Sequence, residues 1–285
     1  MPRLLALGHV TWDRVGQGEV IGGAVSYAAL AARKLGWEAA VLTSAGHDFE
    51  PARDLPGVEV FTARSRATTR FVNSYDDDGR REQTVTSRAD DVDLSLLPDA
   101  WRAPDVLLLA PVAGEVGPGT AASFEAGIVG ATGQGWLREL SPSGRVSPRA
   151  WPRPAADLSG VHVLFLSRHD LPPPQAHADF LEWVPMVVVT RGWKGLTLLV
   201  RGASYEVPTL PRREVDPTGA GDVCAAAFVL RYHETGDPLE AAAFAACAAS
   251  CAVEGVGVGS LGDRAEVERR LVLRERLLED GDFDE

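Results

Sequence analysis

The sequence predicts an α/β protein with a mostly parallel sheet between helices and a small β projection. Three observations predict it. Strands are read at 3–7 and 39–43, and short apolar runs without alternation at 106–110, 161–166 and 186–190, as strands buried on both faces require. Segments with apolar spacing near 3.6 lie among them and after them. One pair of segments, residues 69–75 and 82–86, brackets the turn Asp76-Asp77-Asp78-Gly79, a hairpin signal that breaks the αβ rhythm.

The first strand, 3–7, ends at Gly8. A Gly-rich passage, 15–23, leads into a helix over 24–35 that Gly36 stops. With the strand at 39–43 this makes a βαβ unit. The hairpin at 69–86 projects from the main sheet and is a candidate lid. From residue 105 the rhythm resumes. A second hairpin is expected at 196–200 and 204–207, strong helices at 220–231 and 239–253, and a last amphipathic helix at 266–278. The acidic tail 279–285 should fray.

The chain has 285 residues, with 28 Lys+Arg against 40 Asp+Glu and a net charge of −12. That length suits one large domain or two small ones and buries enough surface to need no metal or disulfide in the core. A hydrophobic fraction of 45% excludes disorder as the dominant state. The net acidity excludes a general nucleic-acid binder. No run approaches a membrane span, and the stretch 1–10 is too short for a signal-peptide core, so a cytoplasmic protein is expected. Cys224, Cys247 and Cys251 sit in Ala-rich segments without further metal ligands and read as buried small hydrophobes. Lys34 and Lys194 are the only lysines and Asn73 the only asparagine.

The most informative segment is Asp216-Pro217-Thr218-Gly219-Ala220-Gly221-Asp222, which runs into a helix. Small residues at 219–221 let backbone N–H groups approach an anion at a helix start, where the dipole is positive. Asp222 beside them could accept a proton from a substrate hydroxyl. The same residues also read as a tight turn with a helix-start carboxylate, and physics alone leaves both open. The run 257–262 matches GxGxxG but follows a helix near the C-terminus, so a dinucleotide site and an oxidoreductase are rejected. No P-loop, HExxH or GxSxG motif is present.

Asp216 to Asp222 resembles the C-terminal signature of the PfkB, ribokinase-like family of carbohydrate kinases. Gly22-Gly23, the Ala-rich helix after them and Leu35-Gly36 resemble its N-terminal signature, and the run VVVTRGWKG at 187–195 resembles its ATP-bordering strand and loop. The resemblance covers essentially the whole chain. It implies a single ribokinase-like domain over 1–285 with lid insertions near 11–21 and 66–88. It implies an ATP-dependent kinase acting on a hydroxyl of a sugar or polyol. Asp222 would be the general base, and Gly219, Ala220 and Gly221 the anion hole. Asp13, Gly22, Gly23 and Asn73 would bind substrate, and Thr190, Gly192, Gly195 and Thr218 the nucleotide. Asp170 would orient Mg²⁺, and Asp216 would anchor a monovalent cation if one is used.

The chain departs from the family in two places. Tyr27 stands where an Asn is common, and Ser167-Arg168-His169-Asp170 replaces the Asn-x-x-Glu motif that organises Mg²⁺. Together with the runs 22–27, 70–75 and 135–138, these departures resemble the inositol-kinase-like branch. Arg138 could reach a phosphate, although an Arg at a strand end is commonly a solvated surface residue. Two alternatives remain at this point. One is a nucleoside kinase of the same family, with Tyr27 or Tyr75 stacking on a base. The other is a catalytically weak sugar-binding regulator. The expected partner is a small-molecule sugar or polyol, with no nucleic acid or membrane, and the protein is expected to be a monomer or homodimer.

Overall fold

The computed structural model describes residues 1–75, 81–171 and 176–280. The turn predicted at 76–79 and the tail beyond 280 lie outside them.

Nine strands form the main sheet: β1 (Arg3–Leu7), β4 (Glu38–Ala45), β5 (Glu59–Arg64), β8 (Val106–Leu109), β9 (Ile128–Thr132), β12 (Val163–Ser167), β13 (Met186–Thr190), β14 (Leu196–Val200) and β15 (Ala203–Val207). Their order is β15-β14-β13-β12-β9-β8-β1-β4-β5. All pairings from β5 to β13 are parallel, and β14 and β15 close one edge antiparallel. A second sheet is formed by β2 (Thr11–Val15), β3 (Gly18–Gly22), β6 (Thr69–Tyr75) and β7 (Arg81–Ser87), ordered β3-β2-β6-β7. A short hairpin, β10 (Arg138–Leu140) with β11 (Val146–Pro148), meets its edge: Val85 N donates to Gly144 O at 2.8 Å.

The core explains the lack of alternation in the strands. Leu4 and Ala6 of β1 face one apolar cluster and Leu5 and Leu7 the other; Val163 and Phe165 of β12 divide from Leu164 and Leu166 in the same way. One face is covered by α1 (Ala24–Lys34), α4 (Ala220–Thr235) and α5 (Pro238–Ala252), with α6 (Arg264–Asp280) outside α5; α2 (Pro51–Asp54) and α3 (Pro154–Asp157) are single turns. The opposite face is filled by single helical turns and a stack of Trp136, Trp151 and Phe180, with centroids 5.1 and 5.3 Å apart. All three cysteines are free and buried, as their Ala-rich context predicts.

Four features escaped the sequence reading. The Gly-rich passage and the residues before it form the β2–β3 hairpin, only two of whose ten residues are buried, so it shows no apolar run. Strand β5 is also half-exposed. In β9 the signal is broken by Gly130, where a Cβ would come within 2.8 Å of Val229 in α4. The β10–β11 hairpin is only three residues per strand.

Candidate active site

Because β1, β4, β8, β9, β12 and β13 run parallel, their carboxyl ends share one edge, where open α/β sheets bind ligands. A cleft of about 610 Å³ lies there, bordered by the second sheet, the start of α4 and the inner face of α5.

Helix α4 begins at Ala220, with Gly219 as a left-handed N-cap at φ 79°. Only glycine enters that conformation at little cost, and here it is doubly required: a Cβ on Gly219 would fall 2.3 Å from the ring of Tyr27. Tyr27 is 2% exposed, its ring laid against this turn. Asp216 Oδ1 accepts the Thr218 N–H at 2.9 Å and fixes the approach to the helix. The Ala220 N–H points to Pro217 O at 3.3 Å, so an anion at this turn meets chiefly the N–H groups around it.

Asp222 lies in the first turn of α4, half-buried in the cleft. Desolvation pushes its carboxyl up to about 7; the Arg138 guanidinium opposes this, and the charges of Asp13 and Asp170 reinforce it. A carboxylate balanced there can take a proton near neutral pH. The Tyr27 hydroxyl is raised by burial and then by Asp13, Asp222 and Asp216, so it stays a neutral phenol. The Cys224 thiol is pushed up to about 12 by burial and offers no nucleophile.

At one end of the cleft stands Asp13 on β2, whose Oδ1 accepts the Thr11 hydroxyl at 2.9 Å. Gly22 packs behind it: a Cβ there would come within 2.3 Å of Asp13 Oδ2, so glycine leaves room for the carboxylate. Gly23, not Gly22, lines the cleft. Asn73 is paired in register with Gln83 across β6 and β7; its side chain is outside the described structure, while Gln83 borders the cleft. Arg138 is not a solvated strand-end residue. It is half-buried in the cleft wall, its guanidinium carbon 5.7 Å from the Phe71 ring centroid and its Nη1 donating to Val112 O at 3.4 Å.

The other end is bounded by Thr190, Gly192, Gly195 and Thr218. Leu196, Leu210, Ala246 and Ala249 of α5 and Val253 just after it supply an apolar part of the lining. Ser167 to Asp170 makes a tight turn after β12, in which Asp170 Oδ2 accepts the Ser167 N–H at 2.6 Å. Asp170 sits just behind the cleft lining, its carboxyl raised by desolvation. Among the described residues no three His, Cys, Asp or Glu side chains gather as a metal site. Mg²⁺ keeps several waters and is commonly held by one or two carboxylates plus substrate phosphates. The hard oxygens of Asp170 therefore fit a Mg²⁺ that arrives with a phosphate donor, and do not fit one bound by the protein alone.

The cleft thus gathers Asp13, Gly23, Thr190, Gly192, Gly195 and the turn from Thr218 to Asp222. Sequence reasoning missed Phe71, Gln83 and the α5 wall. Phe71 lies on β6 of the β6–β7 hairpin, where period-two spacing could have assigned it to a face. Ala246, Ala249 and Val253 share a helix face and read as core, because small residues that line a cleft look like small residues that pack.

Residues 144–264 match the pfkB family carbohydrate kinase model. Over 80 residues the chain is 36% identical to a nucleoside kinase of Methanocaldococcus jannaschii, covering 28% of this chain and 26% of that protein. Over 87 residues it is 37% identical to the bifunctional protein HldE of Bradyrhizobium diazoefficiens, covering 30% and 17%. The matches therefore span about a quarter and about a sixth of these relatives. The fold is shared more widely. A pyrophosphate-dependent kinase in the ribokinase family, complexed with a pyrophosphate analog and myo-inositol, superposes with a TM-score of 0.76 at 23% identity, over 93% of this chain and 99% of that one. The ribokinase of Thermotoga maritima gives 0.72 at 22% identity, over 95% and 100%. Residues 144–264 thus carry the pfkB carbohydrate kinase signature, on a chain whose fold is ribokinase-like over nearly its whole length.

Proposed function

We propose that this protein transfers a phosphoryl group from ATP to a hydroxyl of a small sugar or polyol, with an inositol-like ring favoured. The observation that carries this is Asp222. It is a carboxylate raised to about 7 in the first turn of α4, in one cleft with Asp13 and next to the glycine turn 219–221. The acceptor hydroxyl gives its proton to Asp222 while its oxygen attacks the terminal phosphorus of the donor. N–H groups at the 219–221 turn and the positive end of α4 meet the charge that develops on the phosphate oxygens. Asp13 and Asn73 bind the remaining hydroxyls, since a carboxylate and an amide together supply acceptors and donors. Asp170 would help hold a Mg²⁺ that arrives with the donor phosphates, and the ion would supply charge neutralisation there. The second sheet acts as the lid that keeps water from the donor.

The apolar lining from Leu196, Leu210 and the α5 alanines supports a nucleotide donor, because a base is bound on apolar surface. The structural neighbour with myo-inositol supports a polyol acceptor. A nucleoside acceptor is supported by the nucleoside kinase relative, but Tyr27 is 2% exposed and packs against Gly219, which leaves little of its ring for a base. The test is ADP release from MgATP with inositols, ribose, fructose, adenosine and cytidine, with Asp222→Asn as control. Polyol- or sugar-dependent release lost in the variant supports the reading. Release with nucleosides alone moves the acceptor class, and donor binding without transfer to any acceptor points to the sugar-binding regulator.

A further inference from the structure

The charge around the cleft is unbalanced. Asp222 feels two carboxylates, Asp13 and Asp170, and Arg138 is the cation that acts on it. Every phosphoryl donor brings further negative charge. Lys34 at the end of α1 is exposed, and Lys194 lies on the loop beyond Gly192, so a guanidinium must do this work. Arg191 and Arg212, both on the cleft lining, are engaged in ion pairs, with Glu206 and Glu254. Arg168 lies in an exposed turn, donating to His169 Nε2 at 2.9 Å.

Arg138 is the one of these four lining arginines that sits against the second sheet. It opens β10, directly after the buried Trp136 and Leu137. Its guanidinium lies 5.7 Å from the centroid of Phe71 on β6, and the tip of its own hairpin is bonded to β7 through Gly144 and Val85. An Arg over an aromatic face keeps its charge and its planar donor fork. The second sheet therefore grips this residue twice, once at the side chain and once through the hairpin tip.

We propose that Arg138 is a further catalytic residue, the guanidinium that contacts the phosphoryl group during transfer and is held in place by the second sheet. The proposal rests on the phosphoryl-transfer reading above. In the step, the bond from acceptor oxygen to phosphorus forms and the bond from phosphorus to the leaving oxygen breaks. The electron pair departs with the nucleoside diphosphate, and the acceptor proton passes to Asp222. The three equatorial oxygens carry the charge in flight, and a guanidinium fork can bond two of them at once. Because Phe71 belongs to the second sheet, the sheet that borders the acceptor end also holds the cation in place.

The experiment compares wild type, Arg138→Lys and Arg138→Met in steady-state kinetics, and measures binding of inorganic pyrophosphate with Mg²⁺ to each by calorimetry. Arg138→Met should lower kcat by about 10²–10³-fold while acceptor KM moves less than tenfold. Arg138→Lys should recover part of the loss, because it keeps the charge without the fork. Pyrophosphate binding should weaken at least tenfold in Arg138→Met. A merely structural role predicts instead that both variants lose thermal stability while kcat per folded enzyme is unchanged, which overturns the proposal. Equal pyrophosphate affinity in wild type and Arg138→Met overturns it too, whether or not the wild type turns over. If the wild type transfers no phosphoryl group but binds pyrophosphate in an Arg138-dependent way, the kinase reading fails and the phosphate contact of Arg138 stands.

Discussion

The two ends of the cleft are built on different principles. The donor end is mainly backbone and small side chains: Gly192 and Gly195 on a loop, Gly219 at a helix start, and alanines of α5 with two leucines. The acceptor end is mainly side chains from separated segments: Asp13 on β2, Phe71 on β6, Gln83 on β7 and Arg138 on β10. A backbone cradle accepts any phosphate chain and tolerates little substitution. A side-chain cage selects its ligand and can be rebuilt one residue at a time. On the proposed reading, the phosphate cradle is set by backbone geometry, whereas the acceptor contacts come from four short stretches of sequence.

Asp222 stands where the two ends meet, and its removal is the largest test. Asp222→Asn should lower kcat by about 10²–10⁴-fold and leave KM for both substrates within a few fold. In the wild type, kcat/KM should fall as pH drops through about 7, because the base takes up its proton there. Stability carries the opposite sign. A carboxyl with a raised folded-state value binds its proton more tightly when folded, so ionising it costs the native state stability. That cost is absent below the unfolded value near 3.8, grows through the window up to about 7 and is fully present above. Asp222→Asn should therefore melt higher than wild type at pH 8 and show a smaller gain at pH 5. Equal melting temperatures at both pH values would show that the carboxylate is not desolvated.

The second test breaks the backbone cradle without touching a charge. Gly219→Ala places a Cβ against the Tyr27 ring on a backbone at positive φ. The turn must shift, and kcat should fall about 100-fold, with destabilisation of about 1–3 kcal/mol. Adding Tyr27→Ala removes the obstructing ring but not the backbone strain. The double variant should recover part of the loss, and a double variant no better than Gly219→Ala would show that φ alone matters.

These contrasts explain what was legible in the sequence. The parallel strands were legible because burial on both faces leaves uninterrupted Val, Leu and Ala runs, as in β8 and β13. The donor-end glycines were legible because a backbone contact needs a fixed spacing. The second sheet was half legible: β6 and β7 showed, whereas β2 and β3 hid because their residues face solvent or ligand rather than core. Arg138 was not assignable, since what distinguishes it from a surface Arg is Phe71, 67 residues earlier in the chain. Glu115 was invisible for the same reason. It is 1% exposed and accepts N–H groups from His9, Val112 and Ala113, tying the ends of β1 and β8 beneath the cleft, and no local pattern marks it.

The third test addresses the side-chain cage. Asp13→Asn keeps the size of the group and its hydrogen bond from Thr11 but removes the charge. A charge-assisted hydrogen bond contributes about 1.5–3 kcal/mol, so kcat/KM for the acceptor should fall about 10–100-fold. Donor KM should stay unchanged. A matching rise in donor KM would mean that Asp13 acts on the phosphates and that the two ends are not separable.

The smallest expected effect separates the two donor chemistries. Ala249 belongs to the apolar lining on α5 and is partly buried, so Ala249→Phe adds a ring to that lining without entering the closed core. If the lining holds the base of ATP, KM for ATP should rise about tenfold, the scale of losing a few buried methylenes. The phosphate cradle, with Gly219 and Asp222, belongs to the start of α4 and should be untouched. Turnover with pyrophosphate, a donor without a base, should then keep its kcat and KM in the same variant. An unchanged KM for ATP would strip the lining of its assigned role and leave the phosphates as the whole of the donor site. A parallel loss with both donors would show that α5 positions the cradle itself, so that the apolar wall and the glycine turn form one unit.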